Sequence, residues 1–238
     1  MNNKKVKEDH GSRIDILDWV ERSDFTDQLS QLLCPTGATV QATNVWMPKG
    51  HSEPEEARLR QLGTEILPGL DWKAIQDWWL AHNGRANTPN WDLASTCTIQ
   101  RQRGLVLIEA KAHIGELKEN DECGSTNCEN REKIGRALDE TGQALCVNIS
   151  REMLLTHYQL ANRVAFSWKI AFMGIPVILI YLGFLGDKSH PDPFEDDNHW
   201  ERELRRYMHK YIPCNFTEHW IDCGEAQMQM IIRSLPAE

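Results

Sequence analysis

Two carboxylates and one lysine lie on neighbouring segments that resemble β-strands. Residues 91–99 are rich in β-tolerant side chains, and residues 105–108 form an apolar run that ends in charge, so a hairpin is predicted. Side chains alternate between the two faces of a strand, so Glu109 and Lys111 point the same way. Folding the hairpin brings Asp92, at the start of the first strand, towards Glu109. The sequence therefore predicts two carboxylates and an ammonium group close together. Leu107 shares the face of Glu109 and Lys111, and the opposite face carries Val106, Ile108 and Ala110.

This hairpin resembles the catalytic motif of the PD-(D/E)xK nuclease superfamily. Asp92 stands in the place of the first acid, and Glu109-Ala110-Lys111 in the place of the E-x-K triplet. Trp91 departs from the motif, which has proline before the first acid. Two further triplets of this type occur, but neither follows an apolar strand. Asp71-Trp72-Lys73 begins a helical segment, and Glu116-Leu117-Lys118 lies in a polar stretch.

The resemblance implies an α/β fold with a restriction-endonuclease-like core. The elements of that core follow one another along the chain as helix, three strands, helix, strand. The strands form a mixed β-sheet, and helices flank it. We expect this core at about residues 52–184 of a single domain that spans residues 12–238. Helical decoration is expected at the N- and C-terminal ends of the domain, after a flexible arm of residues 1–11.

The resemblance also implies a metal-dependent nuclease that cleaves the phosphodiester bonds of DNA. Asp92, Glu109 and the carbonyl group of Ala110 would bind Mg²⁺, or Mn²⁺ in its place, because magnesium prefers hard oxygen ligands. The metal would lower the pKa of a bound water and neutralise charge in the transition state. Lys111 would orient the attacking water or stabilise charge on the phosphate.

Polar residues from two neighbouring helices are further candidates. Gln159 and Arg163 lie on a helix that follows the E-x-K triplet, where members of the superfamily often contribute a polar residue, so either is expected to contact phosphate. A merely solvated helix flank is the alternative for both. Glu56 is a possible counterpart of the glutamate that some families add, although acids also stabilise the first turn of a helix through its dipole.

Two interpretations compete with the nuclease. One is a nuclease-fold module that binds nucleic acid or protein without turnover. For the three side chains themselves, the alternative to a catalytic site is a salt bridge of Lys111 to Asp92 on a solvent-facing sheet surface. A helix-rich interaction protein without this fold is the third hypothesis, and it predicts that Asp92 and Glu109 lie far apart. A homodimer is compatible with each of them.

Composition limits the function classes. The net charge of −9 and pI of about 5.5 argue against broad attraction to phosphate, so DNA binding would need a local basic groove. Seven cysteines without dense spacing and a polar first segment favour the reducing cytoplasm. Residues 170–186 carry no charge, but Gly174 and Pro176 interrupt a run already short for a membrane span, so no membrane partner is expected.

Hydrophobic periodicity and capping residues predict the remaining elements. The N-terminal half is expected to contain one or two helices in residues 12–33, a strand in 38–47, a helix over 53–62 with a capping box at Ser52, and a helix after Asp71 that Asn83-Gly84 closes. The C-terminal half is expected to contain a helix over 131–146, a long helix over 151–173 capped by Ser150, a buried strand after Pro176, an amphipathic helix over 199–211, and a strand or short helix over 227–235.

Overall fold

The protein folds around a mixed β-sheet with helices on both faces. The computed structural model describes residues 11–82 and 88–237. The predicted arm therefore lies outside the described residues except for Gly11, as does the expected Asn83-Gly84 helix end. The helices are α1 (Ser12–Glu21), α2 (Phe25–Leu33), α3 (Leu59–Gln61), α4 (Trp72–Trp79), α5 (Cys128–Leu145), α6 (Tyr158–Phe172) and α7 (Asp197–Met208). The strands are β1 (Ala38–Thr39), β2 (Trp46–Met47), β3 (Ala57–Arg58), β4 (Asn90–Trp91), β5 (Leu93–Ile99), β6 (Gln102–Lys111), β7 (Val177–Leu185), β8 (Trp220–Asp222) and β9 (Gln227–Pro236).

The central strands follow the order β1-β5-β6-β7-β9-β8. β5 and β6 form the predicted antiparallel hairpin, with a turn at Gln100 and Arg101, whose φ angles are 48° and 70°. Positive φ at both central residues is typical of the tight turns that match the twist of a hairpin. β6, β7 and β9 are parallel to one another, and β8 is antiparallel to β9. β1 and β2 both pair with β5.

The two faces of the sheet separate by the alternation of side chains. Leu107 packs with Leu179 in one core, which contains residues of α4 to α7. Ile108 packs with Ile180 in a second core, which contains residues of α1 and α2. Strands buried on both faces read as continuous apolar runs, as residues 177–182 do. The predicted alternation along β6 is therefore confirmed, and Glu109 and Lys111 lie on the face covered by α6.

The structure corrects one predicted helix in the N-terminal half. Residues 53–62 do not form one helix, since Ala57 and Arg58 pair with Trp91 and Asn90 as a two-stranded ribbon. Only three residues, Leu59–Gln61, are α-helical before a wider turn at Leu62–Ile66. The cross-strand pairing to β4 thus outweighs the local capping signal at Ser52.

The long helix predicted over residues 151–173 is divided. Ser150 caps a short 3₁₀ turn, Arg151–Leu154, and α6 begins only at Tyr158. His157 interrupts the helix with a φ of 52°. Its ring packs 4.8 Å from the rings of Tyr207 and Tyr211, so contacts with α7 and the segment after it hold this break in place.

The C-terminal region differs from the expected helical decoration. α7 is present, but β9 adds to the central sheet next to β7 and β8 closes that edge. Three arginines of α7 pair with its own glutamates, as expected of a solvated face: Arg205 with Glu201, and Arg202 and Arg206 with Glu203. No helix in residues 11–82 and 88–237 is long and apolar enough to cross a membrane.

Gly142 tests the packing of α5 against the segment that follows it. A Cβ atom at this position would lie 1.9 Å from the carbonyl oxygen of Ile149, a backbone atom that cannot rotate away. We expect Gly142→Ala to lower the free energy of unfolding by about 1–3 kcal/mol, although alanine favours helices, because overpacking shifts the backbone. Urea denaturation measures this change. Gln143→Ala, at the exposed neighbouring position, should change stability by less than about 0.5 kcal/mol.

Candidate active site at the end of the central hairpin

The hairpin strands differ in length at the end that carries the acids. The pairing of β5 with β6 ends where Leu93 meets Ile108, so β6 continues through Lys111 without a β5 partner. The side chain of Asp92 takes the place of a β5 partner here, because its Oδ2 accepts a hydrogen bond of 2.7 Å from the backbone N–H of Ala110. The structure therefore places the first predicted acid against the E-x-K triplet.

Glu109 is buried between two cations. Its side chain is 1% exposed, and its Oε2 accepts a hydrogen bond of 2.5 Å from Nε of Arg163. Its Oε1 pairs with the ammonium group of Lys111. Lys111 also donates to Oε1 of Gln159 at 3.0 Å. Both polar residues predicted from the helix thus reach the hairpin. The alternative, a solvent-facing bridge from Lys111 to Asp92, is not what forms, because Lys111 is buried and pairs with Glu109.

α6 presents Gln159 and Arg163 together because residues four positions apart share a helix face. The Oδ1 of Asn162 accepts a hydrogen bond of 2.7 Å from the guanidinium of Arg163, which also lies 5.9 Å from the ring of Trp91. At the start of the helix, Oδ2 of Asp121 accepts from the N–H of Gln159 at 2.5 Å. These contacts fix both side chains against β6.

Burial and charge set the protonation of the cluster. Burial together with the charge of Glu109 raises the pKa of Asp92 to about 7, against an opposing effect of Lys111. Burial would also raise the pKa of Glu109, but Arg163 and Lys111 outweigh it and hold that pKa below its usual value. Burial disfavours the Lys111 ammonium, yet Glu109 and Asp92 raise its pKa overall. Glu109 and Lys111 are therefore ionised at neutral pH, and Asp92 titrates near it.

Sequence reasoning missed three groups around this cluster. Asp121 lies in a segment that reads only as a polar loop. Tyr181 is adjacent to Glu109 in the parallel register of β6 and β7, and its buried hydroxyl has no hydrogen-bond partner among the described residues. Glu116, the acid of a triplet set aside above, accepts from the N–H of Ala112 at 2.5 Å. Because β6 and β7 are both predicted from the sequence, their pairing is the signal that could have identified Tyr181 as a neighbour of Glu109.

Glu56 lies near the site but not in the ion cluster. Its Oε2 accepts from the side-chain amide of Asn90 at 3.3 Å, and it lines a small cavity together with Asp92. It belongs to the segment before β3 and not to a first helical turn, so the helix-dipole explanation does not apply to it.

Oxygen donors of the kind that bind a hydrated divalent cation lie at the edge of β6. The N–H of Ala110 faces Asp92, and the N–H and C=O of one residue in a strand point to the same side, so the Ala110 carbonyl also faces this edge. Magnesium needs few protein ligands because it keeps several waters. Glu109 has both oxygens in ion pairs, and Gln159 offers Lys111 a second acceptor. Within the described residues, no three His, Cys, Asp or Glu side chains form a metal-binding group.

Comparison of the chain with known protein families, with curated proteins and with solved structures gives no match in any of the three searches. The interpretation of this site therefore rests on the residues that the fold brings together. Those are the five predicted side chains, Asp92, Glu109, Lys111, Gln159 and Arg163, with the backbone of Ala110.

The pKa of Asp92 gives a pH-dependent prediction. Its value of about 7 in the folded protein exceeds the ordinary 3.8, so the folded state binds a proton more tightly than the unfolded chain. The stability of the wild type relative to Asp92→Asn should therefore increase as the pH falls from about 7 to about 4. Urea denaturation at several pH values in chelator measures this difference. A flat difference over that range would show that Asp92 has an ordinary pKa.

Arg163 tests the buried ion cluster. Arg163→Met leaves Glu109 buried with one cation, so we expect the free energy of unfolding to fall by about 3–5 kcal/mol. The double variant Arg163→Met, Glu109→Gln should lose less than this single variant, because it removes the buried carboxylate and leaves the Lys111 ammonium beside Asp92 and hydrogen-bonded to Gln159. Denaturation of these two variants and of Glu109→Gln alone gives the coupling energy between Arg163 and Glu109. Arg136→Met, which removes an exposed pair with Glu132, is the matched control and should cost less than about 1 kcal/mol.

Proposed function

We propose that this protein is a magnesium-dependent nuclease that hydrolyses phosphodiester bonds in DNA. One observation carries the proposal: Asp92, Glu109 and Lys111 converge at the end of the hairpin, and α6 adds two further polar side chains to the same place. The order of elements supports a restriction-endonuclease-like core, since the antiparallel hairpin is followed by helices and then by the parallel strand β7.

The chain's acids would hold the cation at the overhanging edge of β6. Asp92, Glu109 and the Ala110 carbonyl form the proposed ligand set, with Mn²⁺ able to replace Mg²⁺ at hard oxygen ligands. When bound, the cation lowers the pKa of a coordinated water and offsets charge on the phosphate. To bind the cation, one carboxylate oxygen of Glu109 would leave its ion pair with Lys111. The ammonium group of Lys111 would keep its hydrogen bond to Gln159.

Lys111 and Arg163 would supply positive charge where the phosphate gains negative charge. The raised pKa of Lys111 keeps its ammonium group protonated, so its role is to stabilise charge or to orient the water as a donor and not to act as a base. Arg163 is held on Glu109 by its Nε. A buried, preorganised cation acts strongly on a developing charge because it needs no reorganisation during the reaction. At the site itself these two cations balance Asp92 and Glu109, so the net charge of −9 is not concentrated there.

A nuclease-fold module that binds nucleic acid or protein without cleavage is the second candidate. The specific observation in its favour is that both carboxylate oxygens of Glu109 already form ion pairs, one with Lys111 and one with Arg163. In such a protein the cluster would be a structural device that fixes α6 to β6. Added Mg²⁺ would then change neither stability nor binding.

A cleavage assay separates these two functions. We expect the wild type to cut plasmid, single-stranded or branched DNA in magnesium or manganese and not in chelator. Asp92→Asn, Glu109→Gln and Lys111→Met should each reduce the cleavage rate by about 100-fold or more, the scale of losing one charge-stabilising group. Gel electrophoresis of the products measures the rates.

The control for this assay comes from the chain itself. Lys73→Met changes the lysine of the other Asp-x-Lys triplet, which lies on the exposed side of α4, and it should cleave like the wild type. Equal cleavage by all variants would mean a contaminating nuclease. No cleavage of any substrate by a folded preparation would favour the binding module.

A further inference from the structure

A polar cavity of about 520 Å³ lies beside the candidate active site. Two connections join it to the ion cluster. Asn162 lines the cavity and holds the guanidinium of Arg163 through its Oδ1. On the other side, Thr88 and Pro89 line the cavity and lead directly into β4 and Asp92. A ligand in the cavity would therefore contact the residue next to Arg163 in α6 and the segment just before Asp92.

The charge of the described lining bears on the class of ligand. Among the described residues that border the cavity, none is Asp, Glu, Lys or Arg. A phosphate group would need a cation for strong binding, and a hard metal ion would need carboxylates. His82 is turned to Glu129, with which its Nε2 pairs. The cavity instead suits an uncharged ligand that exchanges hydrogen bonds.

The remaining lining combines apolar surface with neutral donors and acceptors. Leu80 and Ile134 supply apolar walls, and Tyr158 supplies an aromatic ring. Hydroxyl groups come from Ser125 and Thr126. A flat heterocycle with polar edges fits this combination, because it can stack on apolar or aromatic surface while its edge forms hydrogen bonds.

Asn162 connects the cavity lining to the cluster in a defined orientation. Arginine can only donate hydrogen bonds, so the atom of Asn162 that faces Arg163 is its oxygen. Its amide nitrogen is then the donor that this residue can offer to a ligand. Asn130 has a different role, since its Oδ1 already accepts from the N–H groups of Ala81 and His82 and so fixes one wall.

From this we propose that the cavity receives an unpaired nucleobase next to the scissile phosphate. The inference rests on the proposed nuclease function and deepens it, since it names the substrate class: a strand whose base is free to leave the helix, as in single-stranded, flapped or bulged DNA. A continuous duplex would have to unstack and unpair that base first, which costs a few kcal/mol. The wild type should therefore prefer unpaired strands.

Binding to oligonucleotides with and without bases tests this proposal. The probes are a short single-stranded oligodeoxynucleotide and a strand of equal length with abasic residues, and fluorescence anisotropy in calcium without magnesium measures their affinities. We expect the strand with bases to bind about tenfold more tightly, equivalent to about 1.4 kcal/mol, which lies within the range of one stacked base.

Filling the cavity should abolish this preference. A Cβ at Gly124, which lines the cavity, meets no atom within 4 Å, and its backbone is not left-handed, so Gly124→Phe can place a ring there. The affinity ratio should then fall to about one. Thr126→Phe is a second filling variant with the same expected result. Gly69→Phe is the matched control, since a Cβ at Gly69 also meets no atom within 4 Å and Gly69 does not line the cavity; it should keep the ratio.

Failure of the cavity proposal and failure of the nuclease proposal give different results. Equal affinity of the wild type for both probes, or no measurable affinity for either, overturns the cavity proposal whatever the cleavage assay gives. A tenfold ratio that folded Gly124→Phe and Thr126→Phe both retain overturns it as well. A ratio that is lost in these variants, in a protein that cleaves nothing in magnesium, supports the cavity and overturns the nuclease.

Discussion

The negative charge of Glu109 is the constraint on which this structure depends. An ionised carboxylate that is 1% exposed is costly unless cations and hydrogen bonds surround it. Lys111, two residues along the same strand, and Arg163, on a distant helix, meet this requirement together. The charge therefore fixes the position of α6 along β6 more narrowly than apolar packing would, because a shift by one residue would take Arg163 away from the carboxylate and leave it with Lys111 alone.

The same constraint links the fold to the proposed chemistry. The side chains that neutralise Glu109 are those with which a phosphate would interact in the proposed reaction. The adjacent carboxyl of Asp92 has a pKa of about 7 because it is buried and also lies beside the charge of Glu109. With neither a metal ion nor a phosphate bound, the cations and carboxylates of the cluster balance one another. The cluster is a structural contact between sheet and helix, and under the proposed function it would also be the reaction centre.

Sequence reasoning reached the site because its determinants are local. The alternation of β6 and the hairpin turn are enough to place Glu109, Lys111 and Asp92 together, and the apolar run after Pro176 is enough to identify β7. The missed features depend on distant partners. Ala57 becomes a strand residue through Trp91, and α6 starts late because His157 packs on aromatic rings of Tyr207 and Tyr211. The pattern of residues 227–236 suits a strand or a helix, and only the open edge of β7 decides between them.

The parallel arrangement of β6, β7 and β9 also bears on how the chain acquires its structure. Each neighbouring pair joins segments that are far apart in sequence, and non-local pairings of this kind slow folding because loops must close before contacts form. β7 lies between the other two strands, so its second row of backbone hydrogen bonds forms only after residues 227–236 have been synthesised. During translation, the hairpin can fold early, whereas the inner strand keeps an open edge until residues 227–236 are available to pair with it.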